Sequence, residues 1–359
     1  MKIAALGYYG FGNLGDEAVL AGIRAALKTE PVFDAATFTV LSNAPEETVR
    51  LHPGVVSANR WKWHEASAAL VGTDLFVLGG GSLLQDTTSV KSVVWYALMA
   101  RLARAKSRRL LWWGQGIGPL TSKLSRYMVG LIARQADAVT VRDEKSWELL
   151  KACGFTGSNE VVADPAFALA PENPATDAGG AVLVALRSWR ENEWLTRVLS
   201  GTDDNLASVL HTATGTNRDR LHGFPMHYPG DAEMLFANCG ITPSIDWREG
   251  TIAQAFGAVS RASLVIAMRL HALIFAARCA VPFVALSYDP KVDALAKACG
   301  QEDALLNVND RTLTRETLLA TIARVRDTDA VRRDTLREFA ARQQTKAVRP
   351  AQIAANWFR

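Results

Sequence analysis

Apolar residues come in short runs separated by turn signals and by amphipathic stretches, the rhythm of alternating strands and helices. Lys2–Leu6 reads as a first buried strand, and Ala18–Leu27 as the helix that follows it. Thr37–Leu41, Asp74–Leu78, Leu110–Gly114 and Ala138–Val141 read as further strands, with helices expected over Val93–Arg109 and Leu124–Gln135. A Pro-, Gly- and Ala-rich stretch at 170–180 reads as a linker, after which Ala181–Leu186 opens a second series. There Leu264–Ala267 and Pro282–Ser287 are strands, Asp289 is placed as a helix N-cap and Pro290 as the first helical residue. The expectation is an α/β chain of two doubly wound Rossmann-like domains facing a cleft, 1–172 and 178–345, with a tail at 346–359 packing back on the body.

Chemistry in such a fold collects at the carboxyl ends of the strands. Arg269 and His271 follow one expected strand and Lys291 the next, so all three belong at one sheet edge, beside helix N-termini that favour anions. Arg187 and Arg142 also stand just after strands. Each of these has a plainer reading, as surface charge, ion pair or satisfied structural histidine. Together they describe an anion site with an imidazole for proton transfer.

Glycines mark two further turns. Gly10-x-Gly12-x-x-Gly15 lies between strand and helix, as a dinucleotide-binding loop would. Asp16 and Glu17 put negative charge where a pyrophosphate would dock, and the second strand ends in Ser42-Asn43 rather than an acid. The loop is therefore expected to approach another ligand, with Asn13 and Asp16 as polar contacts. Gly79-Gly80-Gly81-Ser82 is expected to be a second close-approach turn, so Gly80, Gly81 and Ser82 join Gly10 and Gly12 as candidates. Asn59–His64 is a basic and aromatic patch suited to touch a sugar or a membrane surface, with packing by long snorkelling side chains as the favoured, plainer reading.

Composition narrows the class. The chain has 359 residues, 49% hydrophobic and 21% charged, with a net charge of +4. That excludes a disordered chain and gives no sign of a nucleic-acid binder. The four cysteines form no C-x-x-C pair, and His222 and His227 stand five apart with no shared helical face, so no metal is expected. The N-terminal apolar run is too short for a signal peptide and no stretch reaches membrane-span length, which points to a cytoplasmic protein.

Five segments come in order: Gly7–Glu17, Leu78–Asp86, Gly114–Pro119, Val141–Asp143 and Met268–Ala276, followed by Tyr288–Lys291. This set resembles the polysaccharide pyruvyltransferase family, in particular its CsaB type. The resemblance implies a GT-B-like fold and transfer of the pyruvyl group of phosphoenolpyruvate to a sugar as a 4,6-ketal, with release of phosphate. It implies an acceptor N-acetylmannosamine in a lipid-linked precursor of a secondary cell-wall polymer that anchors S-layer proteins. The family's Arg, His and Lys map onto Arg142, His271 and Lys291, with Arg269 in the same Arg-Leu-His motif.

The combined expectation makes His271 catalytic, and Arg142, Arg269, Lys291 and Arg187 donor-binding. It calls for no cofactor beyond phosphoenolpyruvate as donor substrate, and for no nucleic acid. A peripheral contact with the inner membrane face is a further expectation. The alternatives are a GT-B glycosyltransferase or epimerase using a nucleotide sugar, for which Glu249 is the nearest ribose-binding acid, and a non-catalytic receptor for anionic sugars.

Overall fold

A computed structural model describes residues 1–87, 89–170, 180–215 and 218–359. The expected boundary at 172–178 lies outside the described residues. The chain divides into two compact units, Met1–Leu169 with Gln343–Arg359, and Ala170–Arg342.

Among the described residues, eight strands build the sheet of the first unit: β1 (Lys2–Leu6), β2 (Thr37–Ser42), β3 (Val55–Asn59), β4 (Thr73–Leu78), β5 (Gly81–Leu84), β6 (Ser107–Ile117), β7 (Ala138–Val141) and β8 (Asn159–Val161). Their order is β3-β2-β1-β4-β6-β7-β8, with β5 beside β6, and the pairings are parallel. A parallel sheet covered on both faces needs apolar residues at successive positions. Ala4, Phe76 and Trp112 point into one core, and Ala5, Val77 and Trp113 into the other. Trp112 and Trp113 are both fully buried, one on each side of β6.

The second unit repeats the plan with β9 (Ala181–Ala185), β10 (Leu221–Gly223), β11 (Ala262–Ala267), β12 (Phe283–Ser287) and β13 (Leu305–Asn307), in the order β10-β9-β11-β12-β13. These pairings are parallel as well. Val182, Val184, Leu264, Ile266 and Val284 share a core with Trp194, Leu235 and Ile322.

Several boundaries differ from expectation. The helix expected over Val93–Arg109 runs from Val90 to Lys106, and β6 begins at Ser107. Asp137 sets that boundary: its carboxylate takes the amide of Leu110 at 2.8 Å and binds Arg104 and Arg109, fixing the chain as strand. Helix one starts at Leu14 because Asn13 caps it, its Oδ1 accepting from the Gly15 amide at 3.0 Å. Gly81-Ser82 opens β5 rather than closing a turn. His222 lies on β10, where its Nδ1 meets Ser244 Oγ at 3.0 Å.

The helix Asp329–Ala355 ends in the first unit, where Ala351, Ala354 and Ala355 are fully buried against Val19, Val40 and Trp113 of the same core. No described helix is long and apolar enough to cross a membrane. Ala354→Asp would bury an unpaired carboxylate in that core. It is expected to cost about 3 kcal/mol or more, measured as a lowered denaturant midpoint; an unchanged midpoint would show that the tail does not seal the first unit.

Candidate active site

The second unit gathers four of the expected residues at the carboxyl ends of neighbouring strands. Arg187 follows β9, Arg269 and His271 follow β11, and Lys291 follows β12. Arg269 is the N-cap of the helix Leu270–Arg278, which places His271 in its first turn. Asp289 caps the helix Pro290–Ala298, its Oδ1 accepting from the Lys291 amide at 2.9 Å. Two helix N-termini thus lie at this edge beside three cations, an arrangement suited to an anion with more than one charge.

The two arginines are held rather than loose. Asp231, 2% exposed, grips Arg269 at two points, with Nε donating to Oδ2 at 2.8 Å and Nη2 to Oδ1. The same carboxylate accepts from the amides of Met226 and His227 at 3.2 and 3.0 Å. Arg187 donates from Nη1 to the Tyr288 hydroxyl at 3.2 Å and lies over that ring, whose far neighbour is Trp189 at 4.9 Å. A guanidinium fixed on one side keeps its remaining N–H groups aimed, which lowers the entropy lost on binding an anion.

The first unit holds the glycine loops and Arg142. Gly10 has φ +76°, and a Cβ there would come within 2.2 Å of Ser42 Oγ, so packing against the end of β2 alone demands glycine. Glu17, read in the sequence as negative charge at the place a pyrophosphate would dock, instead turns inward. Its Oε1 accepts from the Gly10 amide at 2.8 Å and its Oε2 meets His52 Nε2 at 2.9 Å, both side chains being buried. Gly80 makes room for the Pro165 ring, 3.0 Å from where its Cβ would be. Gly81 has φ +98° and lies beside the Asp16 carboxylate. Gly12 is also left-handed, at φ +69°. Arg142 donates to Ser82 Oγ at 2.8 Å and to Asp164 at 3.3 Å, with its guanidinium laid on Gly116. Asp16, Gly81, Ser82 and Arg142 are therefore one polar cluster. His271, Arg187, Arg269 and Lys291 are another, on the other unit.

The sequence pattern of the polysaccharide pyruvyl transferase family matches residues 13–290. The chain belongs to that family. The match takes in the first cluster and Arg187, Arg269 and His271 of the second, and ends one residue before Lys291. No curated protein matches the chain. Among solved structures it is similar to a UDP-N-acetylglucosamine 2-epimerase, described as putative, from Listeria monocytogenes (14% identity, 96% of this chain and 93% of that one, TM-score 0.59). It is also similar to MnaA of S. aureus, solved with UDP (11%, 97% and 94%, 0.59), and to UDP-GlcNAc 2-epimerase from Neisseria meningitidis bound to UDP-GlcNAc (10%, 99% and 99%, 0.55). At these identities the likeness establishes the fold, which is of the GT-B type.

In this transferase, Asp231 escaped sequence reasoning, and His227 was weighed there only as a metal ligand. The signal was present in His227-Tyr-Pro-Gly-Asp231, a histidine and an acid four apart in a strand-to-helix connection, but nothing local shows that Asp231 meets Arg269, 38 positions away. Burial lowers the His227 pKa, as do the nearby Arg269 and Arg187, against the opposing pull of Asp231. Glu249, the acid proposed for a nucleotide ribose, is exposed.

Two expectations follow. Asp231→Ala leaves the Arg269 charge uncompensated and is expected to cost about 3 kcal/mol of stability, read by chemical unfolding; a cost within error of zero would mean the pair is not formed. For His227, the folded pKa lies below the unfolded value of ~6.5, so between the two the unfolded chain binds the extra proton. Its stability contribution is full above the unfolded value and is lost as pH falls through the folded one. NMR of the imidazole should give a midpoint under ~6.5 that rises in Arg269→Gln; an unmoved midpoint would remove the charge coupling.

Proposed function

We propose that the protein transfers the pyruvyl group of phosphoenolpyruvate to a sugar, forming a 4,6-ketal and releasing phosphate. The observation that carries this reading is the gathering of Arg187, Arg269, His271 and Lys291 at the ends of β9, β11 and β12, with Arg269 locked by Asp231. Phosphoenolpyruvate carries a carboxylate and a phosphate on adjacent oxygen-bearing positions, and a bidentate-capable arginine with a lysine at a helix N-terminus matches both. Arg142, pinned by Ser82 and Asp164, is retained as a further anion contact of the family motif.

The chemistry assigns His271 as the proton donor. A proton added to the methylene carbon of the donor makes the adjacent carbon electrophilic. One sugar hydroxyl attacks that carbon, its bond to the phosphate oxygen breaks, and the neighbouring hydroxyl closes the ring. Of the two hydroxyl protons, one balances that taken by the methyl group and the other leaves with phosphate. Imidazole titrates near neutrality, so it can give and regain a proton within one turnover. The cations stabilise the leaving phosphate as its charge develops.

The acceptor we propose is an N-acetylmannosamine of a lipid-linked secondary cell-wall polymer precursor, in line with the CsaB-type motifs, and the site of action is the cytoplasm, at the inner membrane face. The family match supports the transferase class, and the similarity to nucleotide-sugar epimerases supports the fold.

Phosphate release from phosphoenolpyruvate, with and without an N-acetylmannosaminyl disaccharide on a pyrophosphate-lipid mimic, tests the reading. Acceptor-dependent release is expected. His271→Ala should lower kcat ~10²–10⁴-fold, whereas Lys291→Ala should chiefly raise the donor KM. Release that ignores the acceptor, or thermal protection by UDP-sugars in place of phosphoenolpyruvate, would contradict it.

A further inference from the structure

The sheet edge formed by β3, β2 and β1 carries a second built surface. These strands are neighbours in that order, so the residues after each meet at one place. After β1, the rings of Tyr8 and Phe11 stack with centroids 4.0 Å apart and planes within 10°. After β3 come Arg60 and the exposed Trp61 and Trp63. Trp95, from the helix Val90–Lys106, lies 5.0 Å from Trp61 and 5.0 Å from Tyr96.

Arg60 organises this surface. It is 3% exposed, and its guanidinium carbon lies 4.1 Å from the Trp95 ring, 5.2 Å from Trp61 and 5.3 Å from each of Phe11 and Tyr96. Its Nη1 donates to the Gly7 carbonyl at 2.5 Å. A buried cation surrounded by ring faces holds those rings in place, since moving one away exposes the charge to a poorer environment. Asn43, after β2, completes the frame. Its Nδ2 donates to the Gly10 carbonyl at 3.0 Å, and its Oδ1 accepts from Trp61 Nε1 at 2.8 Å. The inner ring faces are thus engaged by the cation, while Trp61 keeps 55% and Tyr8 39% of its surface open.

We propose that this surface, framed by Tyr8, Phe11, Asn43 and Trp61, binds the face of a neutral pyranose ring in the saccharide acceptor. The proposal rests on the reading of the protein as a transferase acting on a saccharide. Rigid aromatic faces bury the C–H face of a sugar at little entropic cost. The rim also offers what a polyol wants: the Asp16 carboxylate, in the first turn of the helix that follows Tyr8 and Phe11 and beside Gly81, is an acceptor for hydroxyls. That carboxylate also disfavours a phosphorylated ligand at this place. An anionic membrane would require net positive charge, but Lys62 is paired with Glu65 at 3.0 Å.

Calorimetry on the full chain tests this with an N-acetylmannosaminyl-N-acetylglucosamine disaccharide as probe. Trp61→Ala is expected to weaken its Kd at least tenfold, and Trp61→Phe, which keeps a ring, by less than threefold, with the phosphoenolpyruvate Kd unchanged within twofold in both. Equal disaccharide affinity in wild type and Trp61→Ala, an equal loss in both variants, or loss of phosphoenolpyruvate affinity alongside, overturns the proposal. So does a Trp61→Ala protein that keeps the disaccharide but no longer sediments with phosphatidylglycerol vesicles. Trp61-dependent disaccharide binding without any consumption of phosphoenolpyruvate would leave the surface standing and sink the transfer reaction. Ketal formation indifferent to both substitutions would do the reverse.

Discussion

A parallel sheet packed on both faces confines polar chemistry to the ends of its strands. The central strands of the two sheets are apolar on successive residues, as Trp112-Trp113 shows at its extreme, so their buried middles leave no face on which to mount a charged side chain. The carboxyl ends offer what the faces deny: loops that reach water, and helix N-termini whose amides attract anions. In the second unit that constraint brings Arg187, Arg269, His271 and Lys291 to one edge although they span more than a hundred positions of sequence. In the first it brings together the glycine loop, Asn43 and the aromatic residues around Arg60.

Three arginines at these edges show three ways of holding a cation out of bulk water. Arg269 is balanced by a buried carboxylate, Asp231, that also fastens the neighbouring loop through two amides. Arg142 is shared between Asp164 and a serine hydroxyl, against a glycine that leaves space for its plane. Arg60 relies on ring faces and a backbone carbonyl. The first two solutions leave the guanidinium oriented with donors to spare, as an anion site needs. The third turns the cation into a fixed post for aromatic surfaces.

Local features were legible in the sequence where local physics decides them. Lys2–Leu6 and Ala138–Val141 match residue for residue, and Asp289 caps its helix with Pro290 in the first turn, because apolar runs and caps are written in consecutive residues. The placement of Arg269, His271 and Lys291 followed from the same reasoning applied to two adjacent strands. What stayed hidden depends on distant partners. Asp137 ends a helix at Lys106 that propensity would carry on, Glu17 turns away from solvent to reach His52, and Asp231 finds Arg269 across 38 residues. Arg60 was visible only as one member of a basic and aromatic patch, and the three-strand edge shows it buried among rings.

The central claim is that carbon 2 of phosphoenolpyruvate ends as the ketal carbon of a sugar. Incubating the protein with donor labelled with carbon-13 at that position, together with the N-acetylmannosaminyl acceptor, and recording the carbon spectrum of the purified saccharide tests it directly. The account predicts a labelled quaternary ketal carbon attached to the sugar and loss of the enol signal. Label remaining in phosphoenolpyruvate, or appearing only in free pyruvate, would contradict it.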